Sequence, residues 1–438
     1  MLGLLALFAA SGWIVARPEI LTLYHYNPLT IAATHLFVLG WLCSVVMGAM
    51  YQLVPVALET RLHSVRLAKV HFALHAIAVP GMVLAFRAWR PGWVAVFGAV
   101  FAAGAGLFIY NIARALAKIP KWNAVAAAVV SALAWISLAM SAGLLLAVAR
   151  SGQGNFMNHF QPLSAVHAHA HLGVLGFFIT LMAGVSYRLI PMFTLSEIQS
   201  PRRALASGIL LNAGLAGAFV TVLFLWKLKV LFAGVIGAGF AVYGWEIATI
   251  LSARKRRMLD WGIKYFLTAV GLLLPLVLLA LVLSWPDLPL NSLTARFENL
   301  YGFTAIAGVV SLAVIGMLYK ILPFLIWFGT YSKHIGRAQV PALADMVSER
   351  AQCLGYWVFL AALGGTACAI LLGDVRVVRA GAYLFAAGLL TLAWNVAKVL
   401  SHHFRPHLAP LAPPPQPKRP PVDAASSGDA AARKETRF

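Results

Sequence analysis

Residues 171–191 read HLGVLGFFITLMAGVSYRLIP, and the same skeleton stands at 35–55, HLFVLGWLCSVVMGAMYQLVP, and at 303–323, FTAIAGVVSLAVIGMLYKILP. His35, Gly40, Gly48, Tyr51, Leu53 and Pro55 match His171, Gly176, Gly184, Tyr187, Leu189 and Pro191. They also match Phe303, Gly308, Gly316, Tyr319, Ile321 and Pro323, and every interval is the same. A second marker keeps step: Tyr110-Asn111-Ile112-Ala113, Trp245-Glu246-Ile247-Ala248 and Trp394-Asn395-Val396-Ala397. Two markers in register define a threefold internal repeat, with units of about 1–120, 121–256 and 257–400. Glycines eight apart fall on nearly one helix face and allow close helix approach. The proline is expected to end its helix at the membrane boundary, and the tyrosine to anchor it at the interface.

Working outward, the chain is 61% hydrophobic and 11% charged over 438 residues. Its apolar runs repeatedly reach the roughly 20 residues that cross a bilayer. Spans are expected near 2–16, 29–56, 68–87, 92–115, 123–149, 164–192, 203–226, 228–252, 265–285, 297–327, 352–372 and 376–399. The fold class is therefore all-α: a polytopic membrane bundle of about twelve helices, with pseudo-threefold repeats of four. Residues 2–16 lack a basic stretch before them and read as a first span rather than a signal peptide. The formal charge of +21 sits mostly in short loops, which marks orientation in a membrane rather than nucleic-acid binding. Loops after even-numbered spans hold Arg61, Arg66 and Lys69, then Arg114, Lys118 and Lys121, then Arg202 and Arg203, then Arg254 to Arg257 and Lys264, then Lys333 and Arg337. Both termini are expected on the cytoplasmic side of a bacterial-type inner membrane. Residues 405–438 turn polar and rich in Pro and Ala, and are expected to form a disordered tail.

Chemistry is carried by histidine. Spans two and six place His35 and His171 at one depth, roughly 10 Å below the outer boundary at 1.5 Å per residue. Span six reads His167-Ala168-His169-Ala170-His171, so His167 and His171 share a face and His169 points nearly opposite. Intramembrane imidazoles are expected to be paired, hydrogen-bonded or metal-bound. His35 with either His169 or His171 is a candidate heme ligand pair, and His167 a candidate metal ligand. His71 and His75 start span three at the other face and are expected to stay outside that site. His25 and His159 lie in outer loops and could cap it. Cys43, Cys353 and Cys368 lie within apolar runs, and no Cys-x-x-Cys-His for covalent heme is present.

These residues resemble the heme-copper oxidase catalytic-subunit superfamily, in particular its nitric-oxide-reductase and C-type-oxidase branches and the NnrS-like membrane proteins. His35 with Gly48-Ala49-Met50-Tyr51-Gln52-Leu53-Val54-Pro55 looks like the family's second-span heme-ligand helix. The stretch from His169 to Gly176 is similar to its His-x-His helix, here in span six rather than span ten. Span ten holds Glu298, Asn299, Tyr301 and Phe303 where the family has heme histidines, and span seven lacks the adjacent His-His of the copper site. The resemblance implies heme b, with copper as a second metal, in a redox protein of respiratory or nitric-oxide metabolism. Electrons would then come from a separate cytochrome c or from quinone. An active oxygen or nitric oxide reductase with relocated ligands is the alternative, and a heme-free transporter a further one.

Overall fold

The computed structural model describes residues 1–152 and 159–410. Eleven helices in it are long and apolar enough to cross a membrane, and a shorter one precedes them. We number them α1 Leu2–Ala16, α2 Pro28–Ala57, α3 Val65–Arg87, α4 Pro91–Leu116, α5 Ala124–Arg150, α6 Pro162–Thr194, α7 Pro201–Leu223, α8 Lys229–Ser252, α9 Trp261–Leu283, α10 Ser292–His334, α11 Glu349–Leu372 and α12 Val375–Phe404. Helix α1, with 15 residues, is about 22 Å long at 1.5 Å per residue. Helix α9 breaks at Leu272. The reason is Pro275, which has no N–H for the carbonyl of Gly271.

Helix packing makes the repeat a physical object. In each unit the first helix packs on the second and the third pairs with the fourth; the fourth meets the first helix of the next unit, as α4 with α5, α8 with α9 and α12 with α1. The ring so closed surrounds α2, α6 and α10, which touch one another at its centre. All three central helices widen into π-helix at the same place, Leu36–Cys43, Leu172–Ile179 and Thr304–Val310, immediately after His35, His171 and Phe303. Such widening displaces carbonyls from the regular ladder. Ser44, Thr180 and Ser311 each turn a hydroxyl back to the carbonyl five residues earlier, at 3.5, 3.0 and 2.9 Å.

The second sequence marker has a shared structural task. Asn111 accepts from the Ser64 amide at 2.9 Å, Glu246 from Gln199 and Ser200 at 2.7 and 2.9 Å, and Asn395 from Ser348 at 2.7 Å. Ser64, Ser200 and Ser348 are the N-caps of α3, α7 and α11, each accepting from the amide three residues on. Each unit's fourth helix thus fixes the start of its third. Glu246, fully buried, also receives Arg203 Nε at 2.6 Å, which pairs its charge.

Three expectations change in detail. Pro55 and Pro191 stand two and three residues before their helices end, whereas α10 runs on in α-helix from Pro323 to Tyr331. The marker tyrosines face inward rather than anchoring an interface: Tyr187 and Tyr319 are buried, Tyr51 half-buried. In the first two units the tyrosine bonds across to the third helix, Tyr51 to His71 Nδ1 at 3.0 Å and Tyr187 to Ser207 at 2.8 Å. At its start, the stretch expected to be a tail is tied down. Ala409 pairs with Gln339, and the His407 amide reaches Tyr331 Oη at 2.9 Å. Residues 411–438, most of that expected tail, lie outside the described residues.

Candidate functional site

A cavity of about 980 Å³ opens among the central helices near the face that carries the 17–27 loop. That is the upper end of the range for ligand sites. His25, His35, His167, His169 and His171 all line it, within walls that are otherwise mainly apolar.

Two of these imidazoles confront each other. His35 of α2 and His169 of α6 have ring centroids 6.5 Å apart and planes 10° from parallel. The Nδ1 of His35 donates to the Ile31 carbonyl at 2.8 Å, and that of His169 to the Ala139 carbonyl at 2.9 Å. Fixing one nitrogen as donor leaves the other, Nε2, with its lone pair free. Neither Nε2 has a hydrogen bond among the described residues. An imidazole nitrogen sits about 2.0 Å from a bound ion, so two rings sharing one ion between facing nitrogens have centroids roughly 6 Å apart. The centroid separation of the observed pair, 6.5 Å, is close to that value. Gly143 of α5 backs the His169 ring; a Cβ there would lie 2.8 Å from its Cε1, so glycine lets this imidazole stand where it does.

His171 is placed otherwise. Its Nδ1 bonds the His167 carbonyl at 2.7 Å, as His35 bonds four residues back, but its ring stacks on Tyr301 of α10, with Nε2 3.4 Å from the phenol oxygen. It therefore does not face His35. A single rule covers both contacts: each repeat position faces the residue two before its counterpart on the next central helix. His35 meets His169, His171 meets Tyr301, and the corresponding third positions are Phe303 and Ala33.

His167 lies in another cluster. Its Nε2 is 2.8 Å from Nε2 of His25, whose Nδ1 lies 3.8 Å from a Glu298 carboxylate oxygen. Burial lowers the affinity of His25 for a proton. The residue signal for this gathering was thin: His25 sits in a loop, and only Glu298 and Asn299 in an apolar helix hinted at a polar partner. Asn299 Nδ2 bonds the Leu23 and Leu21 carbonyls at 2.7 and 3.4 Å and holds the loop against α10.

His71 and His75 stand apart, as their place on α3 implies. His75 Nε2 bonds Ser44 at 2.9 Å and the Leu39 carbonyl at 3.1 Å. The three cysteines are free. No protein-family model matches the chain, and a search of curated proteins finds no match.

Proposed function

We propose that the chain is a multi-pass redox protein of a bacterial-type inner membrane that holds a b-type heme between His35 and His169. The single observation that carries this is the pair of near-parallel imidazoles, each with Nδ1 fixed to a carbonyl, facing across a ligand-sized cavity. Axial imidazole pairs of this kind are established heme ligation. A heme so held would supply a one-electron couple. The chain's own part is to orient the rings, through Ile31, Ala139 and Gly143, and to exclude water with apolar walls. Arg90, Arg150 and Lys229, which line the same cavity, offer cations to the two carboxylates of a b-type heme.

The resemblance to heme-copper oxidase catalytic subunits supports the same reading and ties it to respiratory or nitric-oxide metabolism. A second heme has less support, since Tyr301 occupies the place facing His171 that an imidazole would need. This favours an electron carrier over a complete terminal reductase, with a separate cytochrome c or quinol as donor. The basic loops favour both termini in the cytoplasm and the cavity toward the outside.

The test is the visible spectrum of protein purified after heme-replete expression. Wild type is expected to show low-spin b-type Soret and α bands. His35→Ala and His169→Ala should each lose or convert them while the protein still inserts, whereas His171→Ala and His71→Ala should keep them. Wild-type protein without heme, or bands untouched by both of the first two changes, would overturn the proposal.

A further inference from the structure

Three polar side chains converge near the mouth of the cavity, one from each repeat: His25 from the loop before α2, His167 from α6 and Glu298 from α10. One donor atom from each can be chosen so that all three lie within 4.8 Å of one another. Two of the three side chains are about a fifth exposed, 21% for His25 and 21% for Glu298. Among the described residues His25 Nδ1 and Asn299 Oδ1 have no other hydrogen-bond partner and lie within reach of each other. That leaves the Nε2 atoms of His25 and His167, 2.8 Å apart, and the Glu298 carboxylate gathered where segments from three units meet.

We propose that His25, His167 and Glu298 bind one divalent first-row transition-metal ion. Two neutral imidazoles and a carboxylate make a borderline ligand set of the kind that takes copper, zinc, iron or nickel. Calcium needs six to eight oxygens and magnesium near-octahedral oxygen ligation, which this set does not offer. The two imidazoles need little movement. Nitrogens at about 2.0–2.1 Å from a tetrahedral ion are roughly 3.3 Å apart, against 2.8 Å between the two Nε2 atoms now. A loop residue such as His25 can give that distance by a slight turn of its ring. The carboxylate offsets part of the ion's charge. Lys229, which lies near His167 and Glu298, is directed to the Leu283 carbonyl at 3.5 Å. Three protein ligands leave at least one coordination position open to the cavity. Asn299, by clamping the loop carbonyls at Leu21 and Leu23, positions His25 for the ion. The site uses neither His35 nor His169 and so stands independently of heme between them.

The experiment uses the full chain in detergent, stripped with a chelator and titrated with cobalt(II), whose d–d absorption reports imidazole and carboxylate ligation. Binding is read as bound metal per chain after gel filtration. One equivalent is expected for wild type. His25→Ala, His167→Ala and Glu298→Gln should each weaken it at least about tenfold, and His35→Ala and His169→Ala should leave it unchanged. His25→Ala sits in a loop, so its melting temperature without metal should equal that of wild type. Should His167→Ala fail to insert, the other two variants carry the test. Wild type that retains well below one equivalent, or His25→Ala and Glu298→Gln that bind cobalt as tightly as wild type, would refute the site.

Discussion

Replacing Glu246 tests the cap that its carboxylate makes for α7. Its side chain accepts from two backbone amides at 2.7 and 2.9 Å and from Arg203 Nε at 2.6 Å, with no exposure to solvent. Hydrogen bonds to charged groups contribute about 1.5–3 kcal/mol each, but they share one acceptor group and do not add. Glu246→Ala leaves the Gln199 and Ser200 amides without their acceptor, at about 1–3 kcal/mol each, so a loss of about 3–5 kcal/mol is expected. The repeat supplies its own rescue. Asn111 and Asn395 perform the amide-capping half of the task without charge, so Glu246→Asn should keep the bond to the Ser200 amide. Arg203, a quarter exposed and lying over the Trp245 ring at 4.7 Å, can then turn its charge to water. The expected loss falls to about 1–2 kcal/mol, near the value of one charge-assisted bond. Unfolding followed by circular dichroism in a fixed detergent measures both. Any heme spectrum should be unchanged in either variant, because Glu246 lies away from the cavity. Wild-type stability in Glu246→Ala, or equal instability in the two variants, would refute the shared-cap argument.

Two further outcomes are expected. Gly143→Ala should lower heme content without preventing insertion, because the added Cβ meets the His169 ring at 2.8 Å; heme content equal to wild type would show that the ring has slack. Cysteines introduced at Ser151 and Arg256 should label from opposite sides of the membrane, the second from the cytoplasm, since the loops that hold them join helices of opposite sense; labelling from one side would break the alternation on which the repeat rests.

The fold was legible because its determinants are local. Apolar runs of spanning length, basic residues between them and a glycine–tyrosine–proline skeleton at fixed intervals all sit within single helices, and they marked twelve helices and three units. The cap role of Asn111, Glu246 and Asn395 was half visible, as a matched position without a partner. The partner is 46 or 47 residues away in each case, and nothing at Ser64, Ser200 or Ser348 says which residue will reach it. Pro323 misled for a related reason: a proline removes one hydrogen bond, and whether the helix stops depends on what packs beyond it. In the third unit Tyr331, fully buried and bonded to His402 Nδ1 at 2.9 Å, holds the continuation in place.

The candidate site was legible in its residue types and not in its pairing. Residues two apart on α6 point in different directions, so the sequence left His169 and His171 as equal partners for His35. Helix rotation decides between them, and rotation is set by contacts made around the whole ring. Once the ring is seen, the repeat itself holds the answer. At two of the three interfaces position n of one central helix meets position n−2 of the next, His35 with His169 and His171 with Tyr301; the sequence puts Phe303 and Ala33 at the corresponding positions of the third. A pair of imidazoles arises at one of the three. At positions equivalent to those imidazoles stand the phenol of Tyr301 and the phenyl of Phe303, groups that pack or donate a single hydrogen bond. His167 and Glu298 obey a different geometry, one turn nearer the membrane face, where the loop bearing His25 can reach both. Divergence at only a few positions of a threefold frame is thus enough to give one interface a pair of near-parallel imidazoles and to leave a separate cluster of His25, His167 and Glu298 beside it.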